Sequence, residues 1–296
     1  MTVLLQVMTL FLLILSGFFA ARRNILDDKG LRGLNTLVLY FAQPALILHK
    51  LQTPATPELI AELAWVFVLT CATIAIAGMI AFRLFAKEAP QRRAVLANLS
   101  MVSNCGFMGY PVITATMGEG ALIYAVIFVA AFNLMCWTLG SYYFGGRKAM
   151  QPQKLLTNPT IWAVVGGMAL FLTGWTLPGF INSALNMMGS VTTPVAMFVI
   201  GARLISLKAD HLKDVKLLMV CGLRLLVFPA MILLLRLTPL PEMVVCSVFL
   251  CTAMPCAALT AMQAERYDCD RELASRGVAL STALSMATVP LMLMLV

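Results

Sequence analysis

Apolar runs long enough to cross a bilayer follow one another along this chain, separated by short polar loops. A transmembrane helix needs about 20 apolar residues. Runs of that kind cover roughly 2–20, 34–52, 59–85, 94–113, 119–144, 160–176, 180–204, 216–236, 242–262 and 273–295. The pattern predicts an all-α integral membrane protein with ten transmembrane helices. Two runs carry helix breakers near their middle. The fourth contains Asn98-Leu-Ser-Met-Val-Ser-Asn104-Cys105-Gly106-Phe-Met-Gly109-Tyr-Pro111, and the ninth contains Thr252-Ala-Met-Pro255-Cys256-Ala-Ala-Leu-Thr260. In hydrocarbon, a broken helix is tolerated only where its freed backbone groups face protein or a wet cavity. Interrupted helices at matching places in two halves of a chain point to a transporter's substrate site.

The halves divide at the loop from Gly145 to Lys154. Residues 1–145 form a first repeat of five helices, 146–158 a linker, and 159–296 a second repeat. Five is odd, so the second half enters the membrane from the opposite side. The expected fold is therefore a 5+5 inverted repeat in which helices 4 and 9 cross, with its site near the midplane. Helices 2 and 7 echo each other through Asn35 and Pro44, and through Asn186 and Pro194. Those prolines also read as simple kinks, which membrane helices tolerate. Gly166, Gly167, Gly277, Ser281 and Ser285 read as close helix packing.

Composition sharpens the class. The chain has 296 residues, 61% hydrophobic and 11% charged, against about 25% charged in soluble domains. Mean hydropathy is +0.91. Little chain is left for a soluble catalytic or sensing domain. The net charge of +8 is no nucleic-acid signal, because 18 of 21 Lys and Arg fall in or beside alternate loops. Arg32, Arg93, Arg147, Arg203 and Arg271 represent the five basic loops, while the intervening loops hold Lys50 and Arg236. By the positive-inside bias the basic loops are cytoplasmic and both termini lie outside. Arg22 and Arg23 follow the first apolar run rather than precede it, so that run reads as a retained span, not a cleaved signal.

Candidate chemistry is sparse. Arg224 lies mid-span, where a charge costs about 3 kcal/mol on insertion scales. Acids are confined to span ends and loops: Glu62, Glu119 and Glu242 on one side, Asp210, Asp214 and Glu265 on the other. Arg224 must then pair with backbone carbonyls, an anionic substrate or cavity water. His49 and His211 are the two histidines, and neither is mid-span. A side-chain proton relay is not expected, whereas sodium held by backbone carbonyls at the breaks stays open. A half-helix starting mid-membrane aims backbone N–H groups and partial positive charge at the break. Asn104, with donor and acceptor at the break, is the first candidate to orient an anion. Asn98, Ser103, Thr252 and Thr260 lie near the breaks, and Gln43 and Asn133 are candidates for the same cavity or for interhelical hydrogen bonds. Cys105 and Cys256 sit in the breaks and are candidates for the binding site, with small packing residues as the plainer alternative. No Cys/His cluster indicates a metal or cofactor, and no enzyme motif is found.

These motifs together resemble the auxin efflux carrier family. Asn104-Cys-Gly-Phe-Met-Gly109-Tyr-Pro111 with Met117-Gly118-Glu119 is similar to its fourth-helix crossover. Leu223-Arg224 through Phe228-Pro229, Ala253-Met-Pro255, Ala264-Glu-Arg-Tyr267-Asp, Asn158-Pro159 and Ile200-Gly201-Ala-Arg-Leu204 also fit, in order along the chain. The resemblance implies crossed helices 4 and 9, a moving transport unit beside a panel that makes homodimer contacts, and an organic anion whose carboxylate is held at the crossover. The position of Asn104 is implied as a substrate contact; Gly106, Pro111, Pro255 and Cys256, placed beside it by the breaks themselves, are further candidates for the substrate site. The short middle loop favours a bacterial inner-membrane carrier of a small mono- or dicarboxylate such as malonate, malate or oxalate. Alternative readings are a membrane receptor that binds without transport, or a carrier of auxin-like compounds or amino acids.

Overall fold

A computed structural model describes residues 3–150, 153, 159–206 and 213–295. Asn158, Lys154, Lys208, Asp210 and His211 lie outside the described residues. The described chain is nearly all helical, and its β-pairing is a single isolated bridge. In order, the helices are α1 (Val3–Arg22), α2 (Asp28–Leu37), α3 (Gln43–Lys50), α4 (Pro57–Leu84), α5 (Pro90–Met101), α6 (Tyr110–Met117), α7 (Leu122–Met135) and α8 (Ser141–Gly145). They continue as α9 (Pro159–Thr173), α10 (Gly179–Ser190), α11 (Thr192–Arg203), α12 (Val215–Gly222), α13 (Phe228–Leu233), α14 (Glu242–Ala253), α15 (Leu259–Arg266) and α16 (Arg271–Leu293). Several of these join into longer rods, and among the described residues six rods are long and apolar enough to cross a membrane: 29–50, 57–84, 119–149, 179–203, 215–237 and 271–293. Shorter apolar helices cover 8–22, 159–173 and 242–253. The expected span over 94–113 is split between α5 and α6 by extended backbone at Val102.

Prolines shape three of the rods in one way. A π-helical turn covers Val38–Ala42 before Pro44, Cys105–Gly109 before Pro111, and Leu223–Val227 before Pro229. Proline lacks the N–H for the i−4 bond and its ring clashes with that carbonyl. Widening the preceding turn lets the rod continue without that clash. Polar caps close the loop ends: Asp27, Thr56, Asp214 and Asp270 each accept from a first-turn N–H, satisfying donors that the helix leaves unpaired.

Packing divides the rods into two groups that mix the chain's halves. In one, α1 lies along α11, and α3 packs on α9 and α10. In the other, α4 packs on α5 and α7, α14 on α13, α4 and α7, and α16 on α12, α15 and α5. The α1–α11 contact is backbone against backbone. A Cβ on Gly17 would lie 1.9 Å from Phe198 O, and one on Gly201 would lie 1.8 Å from Ile14 O. Only glycine permits that approach, the usual way lipid-embedded helices gain contact. Gly167 and Gly277 are also close-packed, against Leu51 and Leu99. Large apolar side chains such as Leu12, Phe19, Trp65, Trp162 and Phe180 are exposed, whereas Asn98, Ser100, Arg224, Thr252, Gln263 and Ser281 are buried. That distribution suits a protein dissolved in lipid.

Candidate functional site: a helix crossover above a basic cavity

Two helices break where they meet. After α5 the chain is extended at Val102 and resumes helix at Cys105. After α14 it is extended at Met254 and resumes at Leu259. The extended pieces lie antiparallel, with Ser103 opposite Cys256. Asn104 N–H donates to Pro255 O at 2.7 Å, and Ala257 N–H donates to Val102 O at 3.0 Å. Pro255, having no N–H, serves as acceptor alone. Cys256 N–H donates to Ser281 Oγ on α16 at 3.1 Å. The breaks thus satisfy part of each other's backbone, as irregular chain at membrane depth requires.

Arg224 supplies donors for the helix ends. Its side chain is buried, and its Nε donates to Met254 O at 3.1 Å. Nη1 donates to Ser100 O and Met101 O at 3.4 Å each, and Nη2 donates to Thr252 O. One planar guanidinium therefore spans the C-terminal carbonyls of both α5 and α14. Each helix C-terminus carries roughly half a negative charge, so the two ends together match one guanidinium.

A cavity of about 730 Å³ lies between the packing groups and reaches the crossover. Asn104, Phe107 and Ala258 line its inner end. Asn35 and Ile200 come from one group, and Ser275, Val278 and Thr282 from the other. Arg32, Arg203 and Arg271, all exposed, line its mouth, with Asp27 as the acid among the described lining residues. Asp27 accepts from Gly30 N–H at 2.7 Å, and Arg271 pairs with Glu265 at 2.7 Å. The mouth is on the side of the basic loops.

The structure brings some expected site residues to the cavity and leaves others behind it. Asn104 lines it, and its side chain caps no helix. Cys105, Pro111, Thr252, Pro255 and Cys256 are buried in the crossover's packing. Gly106 faces another way: a Cβ there would lie 3.2 Å from Gln43 Nε2, a buried amide nitrogen without a partner. Asn98 accepts from the Thr260 hydroxyl at 3.0 Å, so those two side chains hold each other behind the crossover. Asn133 Nδ2 donates to Val129 O one turn back on its own helix. Sequence reasoning missed Phe107, Ala258 and Thr282, which carry no polar signal sharp enough to single them out. It assigned Arg32 and Arg271 to topology alone, Arg203 to topology and a family motif, and Ser281 to packing.

The family model for membrane transport proteins matches residues 2–293. This chain belongs to that family, the auxin efflux carrier family. It is similar to an uncharacterized transporter of Methanothermobacter thermautotrophicus, 29% identical over 294 residues, covering 96% of this chain and 95% of the relative. A transporter of Methanocaldococcus jannaschii is 26% identical over 299 residues, covering 96% of each. The transporter YfdV of Escherichia coli is 24% identical over 227 residues, covering 71% of each. The protein is a membrane transporter and not an enzyme.

Proposed function

We propose that this transporter carries a small organic anion, a mono- or dicarboxylate of the size of malonate, malate or oxalate. It does so by alternating access at the crossover of α5–α6 with α14–α15. The observation that carries the reading is the cavity with three arginines at its mouth and Asn104 at its base. Arginines at the mouth raise the local concentration of anions. At the base, the amide of Asn104 and the start of the resumed helix favour a carboxylate. The cavity lies between two packing groups, where relative movement would close one access and open another.

The inverted-repeat reading draws support from the helix contacts. Exchanging each rod with its counterpart in the other half turns α1 on α11 into α9 on α3, and α4 on α5 into α13 on α14; both members of each pair are present. On this reading the basic loops face the cytoplasm, the termini lie outside the plasma membrane, and the cavity is inward-open.

Counterflow of labelled malonate, malate and oxalate in proteoliposomes tests the proposal. The expected result is saturable exchange for at least one of them, abolished or strongly weakened by Asn104→Ala in protein that elutes as a single folded species. Absence of exchange for every carboxylate, with exchange of a neutral or cationic amino acid instead, would overturn the substrate class.

A further inference from the structure

The four carbonyls that meet Arg224 form an arrangement with a second meaning. Ser100 and Met101 end α5, Thr252 lies in the last turn of α14, and Met254 follows it. All four oxygens accept from one side chain. Carbonyls at the C-terminal ends of two half-helices, with unwound backbone beside them, are the type of ligand set that coordinates a coupling cation in secondary transporters. Sodium prefers such hard oxygen donors, and each helix end adds partial negative charge. Here that oxygen set is already occupied: Arg224 is 2% exposed and the three nitrogens of its guanidinium are each spent on it. Among the described residues no carboxylate partners those nitrogens, so the side chain's charge is balanced by the helix ends themselves.

We infer that Arg224 is a tethered cation standing where a carrier of this architecture would otherwise bind a mobile one. The inference rests on the crossover being the transport site, and two consequences follow. First, substrate movement by the native protein does not respond to sodium or potassium. An anion moved without a compensating cation is then driven outward by an inside-negative potential, with work of about 2.3 kcal/mol per charge per 100 mV. Second, cutting the side chain back leaves a carbonyl-lined site that a free monovalent cation of guanidinium shape can enter.

The test uses the purified full chain and needs no substrate. Thermal unfolding in detergent is followed in choline, sodium, potassium and guanidinium chlorides at equal millimolar concentration. The wild type is expected to unfold at one temperature in all four. Arg224→Ala should unfold several degrees lower in choline and recover saturably when guanidinium replaces it. Arg224→Lys, which keeps a charge but not the fork, should fall between them and show no recovery. If Arg224→Ala yields no folded protein, the lysine variant decides: its folding with cation-independent unfolding is the expected result, and a sodium-dependent rise in it overturns the inference. A wild type stabilised saturably by sodium or potassium overturns it as well. So does an alanine variant as stable as wild type in choline, or one that guanidinium leaves unchanged. Because unfolding is read rather than flux, failure of the anion assignment would leave these outcomes intact.

Discussion

Asn104 and Asn98 are both amides near the fourth-helix break, yet the structure gives them different duties. Asn104 follows the antiparallel bridge and lines the cavity, whereas Asn98 is fully buried and bound to Thr260. A hydrogen bond to a charged partner contributes about 1.5–3 kcal/mol, so Asn104→Ala should raise the KM for the carboxylate by roughly 10- to 100-fold with little change in unfolding temperature. Thr260→Val is expected to do the reverse. It leaves the Asn98 carbonyl oxygen buried without its donor, at a cost of about 1–3 kcal/mol, while substrate affinity stays near wild type. Thermal unfolding and labelled-substrate KM, measured on both variants, check the assignment. In the sequence Asn104 stood first by its place at the break, but that Asn98 turns away to Thr260 was not legible, because which face of a broken helix meets the cavity depends on the crossing, not on spacing. Arg224 was legible as an anomaly, a charge without an acid at its depth. Its carbonyl partners come from segments 28 and 124 residues away, and no local pattern encodes that.

Proline and glycine act on whole elements. Residue spacing made both breaks legible, since Gly106, Gly109 and Pro111 clustered in one run, and Pro255 in the other, weaken a helix more than a simple kink needs. The π-helical turns before Pro44, Pro111 and Pro229 were not legible, because a kink and a widened turn leave the same trace in the sequence. Close helix packing was legible for Gly167 and Gly277 but not for Gly17 and Gly201, whose importance appears once α1 lies on α11. Gly17→Ala places a methyl group 1.9 Å from a main-chain oxygen that cannot rotate aside. The two helices must separate, and unfolding temperature is expected to drop by several degrees or folded yield to vanish. Gly33→Ala is the internal comparison. Gly33 lies in α2 with nothing within 4 Å of its added Cβ, so an alanine there should stabilise by about 0.5–1 kcal/mol. Equal behaviour of the two variants would contradict the packing described for α1 and α11.

At the scale of the molecule, charge and cavity belong together. The basic loops and the helix ends beside them also supply Arg32, Arg203 and Arg271 to the cavity mouth. Their topological signal hid the local one: a positive loop excess says which side a loop faces, and nothing about which of its arginines surround an opening. Exposed charges are screened within about 8 Å at physiological ionic strength. Substrate capture through this mouth is therefore expected to weaken as salt rises. Replacing the three arginines by glutamine should raise KM and flatten that salt dependence, with kcat little changed; a salt response identical to wild type would remove the mouth from the account. The helix content and the membrane class were plain from hydropathy. The grouping of α1–α3 with α9–α11 against the remainder was not, since it joins elements more than a hundred residues apart.

The claim on which the rest depends is that a carboxylate enters the cavity and is carried past Asn104. Charge movement on adding malonate to proteoliposomes, recorded side by side for wild type and Asn104→Ala, tests it most directly. The account predicts a saturable current in the wild type, unchanged when choline replaces sodium and shifted to higher malonate in the variant. A current of equal size and midpoint in both proteins would contradict it.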